Sequence, residues 1–406
     1  MTSMSTARGI CFVNARLSGG ELSTLRIVGT RIAALGGDPR RGDSVVDLRG
    51  DKVFPGLINA HDHLQLNSLP SFDPAKHYRH VREWIAEVDA RRLCDPEFKA
   101  GVAVARERRL LIGGIKNLLC GVTTVAHHDP LFPVLSARTY PIHVVQHYGW
   151  AHSLYVDGET SVAGSYRRTP ADRPWIIHAA EGVDAEARNE FERLEVLGCL
   201  GSNTVLVHGT ALDAAQRSRL HQAGAGLIWC PSSNLRLFGR TAQVEDLLPH
   251  GCVALGTDSR LSGARDLLEE LRIAGETAGL DERALARLVT CDSARLLRLP
   301  DRGALRAGMR ADILVLPAAT RLGEATRAQV RLVLIDGRVR HGDPEPARSA
   351  EPAGRFAHIV VDGEPKLLDH SIAALLPRPG ADAGPGAGAG SGEPGLDLTD
   401  LEWRAA

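Results

Sequence analysis

The stretch Pro55–His63, PGLINAHDH, places two histidines two residues apart directly after an apolar run. If this run is a β-strand, side chains at positions i and i+2 lie on the same face, so His61 and His63 point the same way. When parallel strands close into a barrel, that face is the interior, and the carboxyl ends of the strands carry the chemistry of barrel enzymes. The pair is therefore a candidate for holding a divalent metal ion.

Apolar runs alternate with helical stretches between about residues 55 and 300. After the histidine pair, the runs lie at 123–126, 142–145, 175–177, 205–207, 226–229 and 252–255. Strands that alternate with helices favour a parallel sheet, and an α/β barrel needs roughly 250 residues. We therefore predict the α/β class, with a (β/α)8 TIM-type barrel over residues 55–300.

Short strands and turns occur on both sides of the predicted barrel. We expect residues 1–54 and 301–365 to form one small β-sandwich domain, built from both ends of the chain. The segment 366–406 contains a Gly/Ala/Pro-rich stretch and is predicted to be a largely disordered C-terminal tail. Leucine and tryptophan within 396–403 leave open that the last residues dock.

Three further metal-competent side chains, His178, His208 and Asp258, each follow an apolar run. A barrel brings the carboxyl ends of its strands to one face, where these side chains would meet the histidine pair. A lone histidine is more often hydrogen-bonded in a core or a loop. Five such side chains at four strand ends favour one common site.

Charge and cysteine content exclude several classes of function. The chain has 48 Lys and Arg against 49 Asp and Glu, so it has no basic field for nucleic acid or an anionic membrane. Seven cysteines without CxxC spacing indicate neither a disulfide framework nor a thiolate zinc site. With no apolar signal segment and no apolar run of about 18 residues, a cytoplasmic protein with a small-molecule substrate is expected. A homodimer stays open.

Several motifs, taken in chain order, resemble the amidohydrolase superfamily. The resemblance is greatest to the branch that contains cytosine, guanine and adenosylhomocysteine deaminases and triazine hydrolases. The motifs are PGLINAHDH at 55–63, GVTTV at 121–125, HAAE at 178–181, VHG at 207–209, CPSSN at 230–234, GTDS at 256–259 and GALRAGMRADI at 303–313. The resemblance covers about residues 10–340 and implies the same barrel and split β unit.

The resemblance also implies roles for the residues at the predicted site. Its four metal ligands would be His61, His63, His178 and Asp258. The charge of the metal would lower the pKa of a bound water toward 7. Glu181 would move a proton between that water and a substrate nitrogen, and His208 would hydrogen-bond the hydroxide or the polarised substrate, with Asp258 counted among the catalytic residues as well. Without the family pattern, an acid favoured at a helix N-terminus is the preferred explanation of Glu181.

The resemblance further implies one metal ion rather than two. Binuclear relatives bridge two metals with a carboxylated lysine, or sometimes a glutamate, at the end of the fourth strand, which we expect around 142–149. No lysine lies between Lys116 and Lys366, and the only glutamate in residues 118–176 is Glu159. We expect a single divalent ion, with zinc first and iron or manganese as alternatives.

Loops that follow the strands would form the mouth of the barrel and contact the substrate. The predicted substrate contacts are His128, Asp129, Tyr148, Trp150 and Asn234. Trp84, in an Arg-rich amphipathic helix after His63, is a candidate to cover this mouth, although a plain packing helix explains it equally well.

The expected reaction is hydrolysis of a carbon–nitrogen bond other than a peptide bond, first of all deamination of a small nitrogen heterocycle. Opening of a cyclic amide, or loss of chloride or an alkylamine from a heterocycle, would use the same site, and the motifs do not separate these reactions. A non-catalytic structural relative would be expected to lack ligands, whereas all are present here. A nucleic-acid deaminase of the other zinc type is disfavoured because its Pro-Cys-x-x-Cys element is missing.

Overall fold

The computed structural model describes residues 8–17, 20–74, 76–376 and 392–398. The N-terminal part consists of short strands separated by turns. These strands are β1 (Ile10–Arg16), β2 (Leu22–Val28), β3 (Arg31–Leu35), β4 (Ser44–Asp47) and β5 (Lys52–Pro55). Strand β1 pairs antiparallel with β2 and parallel with β4 and β5. The apolar side chains of this unit pack into a core of their own.

The next strands are parallel and form two sheets. They are β6 (Leu57–Asp62), β7 (Val122–His127), β8 (His143–Val144), β9 (Gly149–Ser153), β10 (Trp175–Ala179), β11 (Thr204–His208), β12 (Gly226–Trp229) and β13 (Val253–Leu255). One sheet has the order β6-β7-β8 and the other β13-β12-β11-β10-β9. A parallel bridge between Asp62 and Asp258 joins the end of β6 to the segment after β13. Every residue of β6, β7 and β10 is buried, as expected for parallel strands covered on both faces.

Helices connect the parallel strands. The helices are α1 (Val81–Cys94), α2 (Pro96–Ala103), α3 (Arg106–Leu119), α4 (Leu154–Asp157), α5 (Glu159–Arg168), α6 (Ala185–Val196), α7 (Ala214–Gln222), α8 (Pro231–Phe238), α9 (Leu267–Ala278), α10 (Glu282–Leu288) and α11 (Cys291–Leu296). Aspartate side chains accept hydrogen bonds from free backbone N–H groups at several of their starts, such as Asp184 at α6 and Asp266 at α9. Among the described residues, no helix is both long enough and apolar enough to cross a membrane.

The fourth parallel strand lies later in the chain than the sequence suggested. The apolar run at 142–147 contains only the two-residue strand β8, and the fourth strand is β9. Our placement was wrong because a two-residue strand followed by a short turn cannot be distinguished by pattern from one longer strand. The end of β9 carries His152 and Ser153, so neither lysine nor glutamate occupies that position.

After the helical region the chain returns to the N-terminal sheet. The elements are β14 (Ile313–Leu316), β15 (Leu332–Ile335), β16 (Arg338–Gly342), α12 (Pro344–Ala350), β17 (Phe356–Val361), β18 (Glu364–Asp369), α13 (His370–Ala373) and β19 (Leu396–Asp397). Strand β14 pairs antiparallel with β5. Both ends of the chain therefore share one sheet, in the order β19-β17-β18-β16-β15-β14-β5-β1-β2-β3, with β4 paired to β1.

The C-terminal segment differs from the predicted tail that starts at residue 366. Leu367 and Leu368 are wholly buried in β18, and Leu396 pairs with Val361 across β19 and β17. The Gly/Ala/Pro-rich composition led to the prediction of disorder, because a few buried leucines hardly change the mean hydropathy of a long segment. The stretch 377–391 lies outside the described residues.

An ion pair also ties the late segment to the fold. Glu393 is buried and accepts a hydrogen bond of 2.5 Å from Arg327, whose side chain is fully buried. The prediction of disorder is therefore wrong for residues 366–376 and 392–398, and residues 399–406 lie outside the described part of the chain.

Candidate metal centre

Four side chains from three strand ends point donor atoms at one small volume. His61 and His63 lie at the end of β6, His178 lies in β10, and Asp258 follows β13. The Nε2 atom of His178 lies 3.3 Å from those of His61 and His63. The Asp258 Oδ1 atom lies 3.4 Å and 3.6 Å from the same two nitrogens. Ligands about 2.0–2.1 Å from a tetrahedral zinc ion stand about 3.3–3.4 Å apart, so the donor set fits such an ion.

Two of the histidines are oriented by hydrogen bonds from their other ring nitrogen. The Nδ1 atom of His63 lies 2.7 Å from Asp129 Oδ2, and the Nδ1 atom of His178 lies 2.8 Å from the His152 carbonyl oxygen. Both partners are acceptors, so both Nδ1 atoms donate. The Nε2 lone pairs are therefore free to face the centre, which is the usual arrangement of metal-binding histidines.

The third histidine is oriented by another histidine. His128 Nε2 lies 3.0 Å from the Ala151 carbonyl oxygen, to which it donates. In its neutral form His128 then accepts at Nδ1, which lies 3.3 Å from His61 Nδ1. Because burial lowers the pKa of His128 well below its ordinary value, the neutral form is favoured. His61 consequently presents Nε2 to the centre.

The carboxylate of Asp258 is held by its own loop. The Ser262 hydroxyl donates to Oδ2 at 2.6 Å, which leaves Oδ1 facing the histidines. The Asp258 N–H donates to the His61 carbonyl at 3.1 Å, and its carbonyl accepts from the His63 N–H at 2.6 Å. These bonds hold the left-handed backbone of Asp258, with φ of 60°, against the end of β6.

The histidines differ in how readily they bind a proton. Burial lowers the pKa of His61 to about 4, and burial also lowers that of His178 well below its ordinary value. Burial opposes protonation of His63 as well, but the charge and hydrogen bond of Asp129, together with the charges of Asp258 and Asp62, outweigh it and raise the pKa of His63 to about 9. Two candidate donors are therefore neutral near pH 7, whereas His63 would have to lose a proton before a metal could bind it.

Glu181 and His208 lie beside the four donors. The Glu181 Oε1 atom lies 3.4 Å from His208 Nε2. His208 Nδ1 lies 2.8 Å from Asn234 Oδ1, and Asn234 Nδ2 donates to Thr241 Oγ1 at 3.1 Å, so the Asn234 amide is fixed with its oxygen toward His208. His208 thus donates at Nδ1 and keeps Nε2 directed at Glu181.

Burial, with smaller contributions from the charges of Asp258 and Glu190, raises the pKa of Glu181 well above its ordinary value. A carboxyl group whose pKa is raised keeps its proton to higher pH than an exposed glutamate does. Glu181, in the wall of the cavity, is therefore a candidate general acid/base.

A cavity of about 240 Å³ opens onto this group. Its wall has a polar end, formed by ligands and their neighbours, and an apolar side supplied largely by α1. The lining residues are His63, Gln65, Leu66, Val81, Trp84, Ile85, Val88, Asp89, Arg92, Phe98, Asp129, His152, His178, Glu181, Asp258, Ser259, Leu261 and Ser262. Trp84 and its helix line the cavity, which agrees with the covering position considered from the sequence.

The predicted substrate contacts fall into two groups. Asp129 lines the cavity and also bonds Gln65 Nε2 at 2.7 Å. The other four predicted contacts lie outside the cavity wall: His128, Tyr148, Trp150 and Asn234. His128 and Asn234 stand behind His61 and His208, whose orientation they fix.

Tyr148 and Trp150 are turned away because they lie at the start of β9 rather than after it. The Tyr148 hydroxyl donates to the His127 carbonyl, and Trp150 packs edge-on against the ring of His128 at 5.5 Å between centroids. Both also line a separate surface cavity of about 430 Å³.

The sequence reasoning missed several cavity residues, among them His152, Ser262 and Gln65. His152 ends the fourth parallel strand, and correct placement of that strand would have found it. Ser262 and Gln65 lie in loops, and no spacing rule connects them to the ligands.

A second group of histidine and carboxylates lies where β8 begins. His143 Nε2 lies 3.4 Å from Asp336 Oδ2 and 3.7 Å from Asp312 Oδ2. Asp336 also accepts a hydrogen bond from Arg310, which bonds Asp301 at 2.8 Å as well. This junction cluster joins the parallel strands to the sheet of both chain ends.

Comparison with known proteins gives a consistent set of similarities. Residues 160–340 match the model of the amidohydrolase family. The chain is 27% identical over 395 residues to a 5-methylthioadenosine/S-adenosylhomocysteine deaminase of Halobacterium salinarum, which covers 81% of this chain and 90% of that protein. It is 24% identical to a 5'-deoxyadenosine deaminase of Methanothrix thermoacetophila, over 85% of this chain and 92% of the relative.

Solved structures share the fold. A triazine hydrolase from Arthrobacter aurescens superposes with a TM-score of 0.67 at 20% identity, over 82% of this chain and 94% of that one. An adenosine deaminase from Xanthomonas campestris with bound zinc superposes with a TM-score of 0.65 at 18% identity, over 82% and 93% of the two chains.

Proposed function

We propose that the chain is a member of the amidohydrolase superfamily, whose model residues 160–340 match, and that it is a metal-dependent hydrolase that deaminates a small nitrogen heterocycle. The observation that carries the proposal is the convergence of three imidazole Nε2 atoms and one carboxylate oxygen beside Glu181, at the end of a partly apolar cavity. Three of the four donors line the cavity, so a water or a substrate could reach a bound ion from that side, as a catalytic metal site requires.

The donor set suits one divalent ion, with zinc first and iron or manganese as alternatives. Three nitrogens and one oxygen are borderline donors, and the spacing of 3.3–3.6 Å matches ligands around an ion of that size. When bound, the ion would supply a water activated at neutral pH. Neither lysine nor glutamate at the end of β9 offers a bridge to a second ion.

Glu181 is proposed to carry the proton. Its carboxyl group lies next to His208 Nε2 and lines the cavity, so it can take a proton from the attacking water and deliver it to the departing nitrogen. His208, whose Nδ1 donates to Asn234, would accept a hydrogen bond at Nε2 from the Glu181 carboxyl group or from the attacking water. Asp258 would serve as ligand and accept a hydrogen bond from the same water.

The names of the relatives favour ammonia as the leaving group, since the deaminases align over most of the chain. Loss of chloride or an alkylamine, or opening of a cyclic amide, stays the alternative, because the triazine hydrolase shares the fold at 20% identity. A similarity at so low an identity indicates a shared fold and does not indicate which group leaves the substrate.

The architecture proposed for this enzyme is a (β/α)8 barrel formed by β6–β13, with a β-sandwich domain contributed by both chain ends. Its support is the parallel bridge between the ends of β6 and β13, which brings the two parallel sheets together on one side. The proposed boundaries are residues 55–300 for the barrel.

The proposal is tested by assaying ammonia release from a panel of adenosine derivatives, free purines, pyrimidines, pterins and aminotriazines, with protein reconstituted with zinc. We expect turnover of at least one heterocyclic amine, abolished by a chelator and restored by zinc. Release of chloride or an alkylamine without ammonia would move the protein to the alternative reaction. Hydrolysis of none of these substrates by the zinc-loaded protein would contradict the proposal.

A further inference from the structure

Glu190, in the middle of α6, is a buried acid that the proposed chemistry does not use. It is 4% exposed, and burial raises its pKa to about 7. Among the described residues, its ion-pair partner is His80, at 3.9 Å, too far for a hydrogen bond. An apolar side chain would fill this core position without the cost of burying a carboxyl group.

The one hydrogen bond that the Glu190 side chain makes in the described structure reaches the turn that carries Glu181. Glu190 Oε2 accepts from the Ala180 N–H at 2.8 Å. Ala180 lies between the ligand His178 and Glu181, and its φ of 54° is in the left-handed region that residues with a Cβ atom rarely adopt. A peptide in that conformation needs an external partner for its N–H group, and Glu190 provides it.

The other oxygen of Glu190 faces the helix that walls the cavity. His80 Nδ1 accepts from the Arg82 N–H at 3.2 Å at the start of α1, so in the neutral ring Nε2 carries the hydrogen that points toward Glu190 Oε1. The Val81 N–H donates to the Glu181 carbonyl at 3.1 Å. The start of α1 and the Glu181 turn are thus joined around Glu190.

We propose that Glu190 is a positioning residue: it holds the Ala179–Ala180 peptide, and with it the left-handed turn at Ala180, against the start of α1, and so aims the Glu181 carboxyl group into the cavity. The inference rests on the proposed function for its effect on rate. The restraint that Glu190 places on the turn does not depend on which substrate the protein hydrolyses.

Three substitutions of Glu190 distinguish the effect of its hydrogen-bond acceptor from the effect of its charge and from the effect of its side-chain volume. Glu190→Met keeps the length of the side chain but cannot accept the Ala180 N–H. Glu190→Gln keeps an acceptor oxygen, and Glu190→Asp keeps the charge but withdraws the oxygen by about one bond length. The matched control is Glu186→Gln, on the same helix, because Glu186 also ties α6 to α1 but is exposed, and its side-chain hydrogen bonds in the described structure go to Arg82 rather than to the turn.

The first readout is amide hydrogen exchange of the peptide that spans residues 179–183, in zinc-loaded protein. We expect faster exchange in Glu190→Met and Glu190→Asp and near wild-type exchange in Glu190→Gln and Glu186→Gln. The second readout is kcat, KM and zinc content with a substrate from the ammonia-release panel. Glu190→Met and Glu190→Asp should lose about 10-fold or more in kcat, with KM within about threefold and one zinc per chain, and Glu190→Gln should regain most of the rate.

Unchanged exchange in both the Met and the Asp variants would overturn the inference, and so would a loss of kcat that merely follows loss of zinc. If Glu190→Met does not fold, Glu190→Asp decides alone, since it keeps a polar group of similar shape. Failure of the wild-type protein to hydrolyse any heterocycle would refute the proposed function, while the exchange data would still decide whether Glu190 restrains the turn.

Discussion

The metal centre and the junction cluster look alike in the spacing of their donor atoms. In the centre, the histidine nitrogens and the Asp258 oxygen lie 3.3–3.6 Å apart. In the junction cluster, His143 Nε2 lies 3.4 Å and 3.7 Å from the two aspartate oxygens. Distance alone would assign a metal ion to both.

The surroundings of the two groups differ in charge. At the junction, Arg310 donates to Asp336, so a cationic side chain already balances one of the two carboxylates that face His143. At the centre, the ion-pair partners of Asp258 in the described part of the chain are histidines, and its other oxygen is bonded to Ser262. An unbalanced carboxylate among imidazoles whose Nδ1 atoms are occupied indicates a metal site, whereas a balanced one indicates an ion-pair network.

The largest expected effect comes from removing a ligand at the centre. His178→Ala should reduce the metal content well below one equivalent and turnover by about 10³-fold or more, because the remaining donors no longer enclose the ion. The matched change at the junction, His143→Gln, should keep one metal per chain. Elemental analysis and turnover assays of the two variants measure these effects. Equal loss of metal from both variants would contradict the proposed difference between the centre and the junction cluster.

A smaller effect is expected from the partner of His63. Against burial, Asp129 together with Asp258 and Asp62 raises the pKa of His63 to about 9, so in metal-free protein a proton competes with zinc below that pH. Zinc affinity should therefore rise with pH from 7 to about 9, by up to about tenfold per unit. Asp129→Asn should flatten this rise, because without the carboxylate the pKa of His63 falls.

At pH above 9, where the proton no longer competes, Asp129→Asn should still bind zinc about 10–100-fold more weakly, because the His63 ring has lost its charged partner. Chelator competition titrations across this pH range measure both effects. If zinc affinity rises with pH equally steeply in wild-type and Asp129→Asn protein, Asp129 does not control the protonation of His63.

The smallest effect is expected at the junction. Asp312 is buried, accepts the Asp336 N–H at 2.8 Å and faces His143. Asp312→Asn should lower the free energy of unfolding by about 1–3 kcal/mol, since it weakens buried hydrogen bonds, and should leave zinc content unchanged. Denaturant unfolding with elemental analysis checks both statements. A variant that unfolds like wild type but has lost metal would mean that the junction is itself a metal site.

The sequence was sufficient to bring the four candidate donors to one place, because their positions follow from strand periodicity, while the family resemblance separated them from His208. His61 and His63 share a face by the two-residue repeat, and His178 and Asp258 each follow an apolar run. The sharing of one sheet by the two chain ends could also be inferred from the return of short strands and turns after residue 300.

The residues that orient the ligands could not be found in this way. His128 and Asn234 were expected to contact substrate, yet their side chains bond His61 and His208. Which polar side chains near a strand end reach the cavity depends on tertiary packing, which the sequence pattern does not show. The division between β8, which ends at Val144, and β9, which begins at Gly149, depends on hydrogen bonds between strands and not on the hydrophobic pattern. The burial of Leu396 depends on a distant partner strand in the same way.

Turnover of zinc-loaded Glu181→Gln protein tests the central claim most directly. Glutamine fills the same volume and leaves the four ligands in place, but it cannot accept and release a proton. We predict one zinc per chain and a loss of about 10²–10⁴-fold in kcat, with a smaller change in KM. A Glu181→Gln protein that holds its zinc and turns over within a few fold of wild type would contradict the assignment of proton transfer to Glu181.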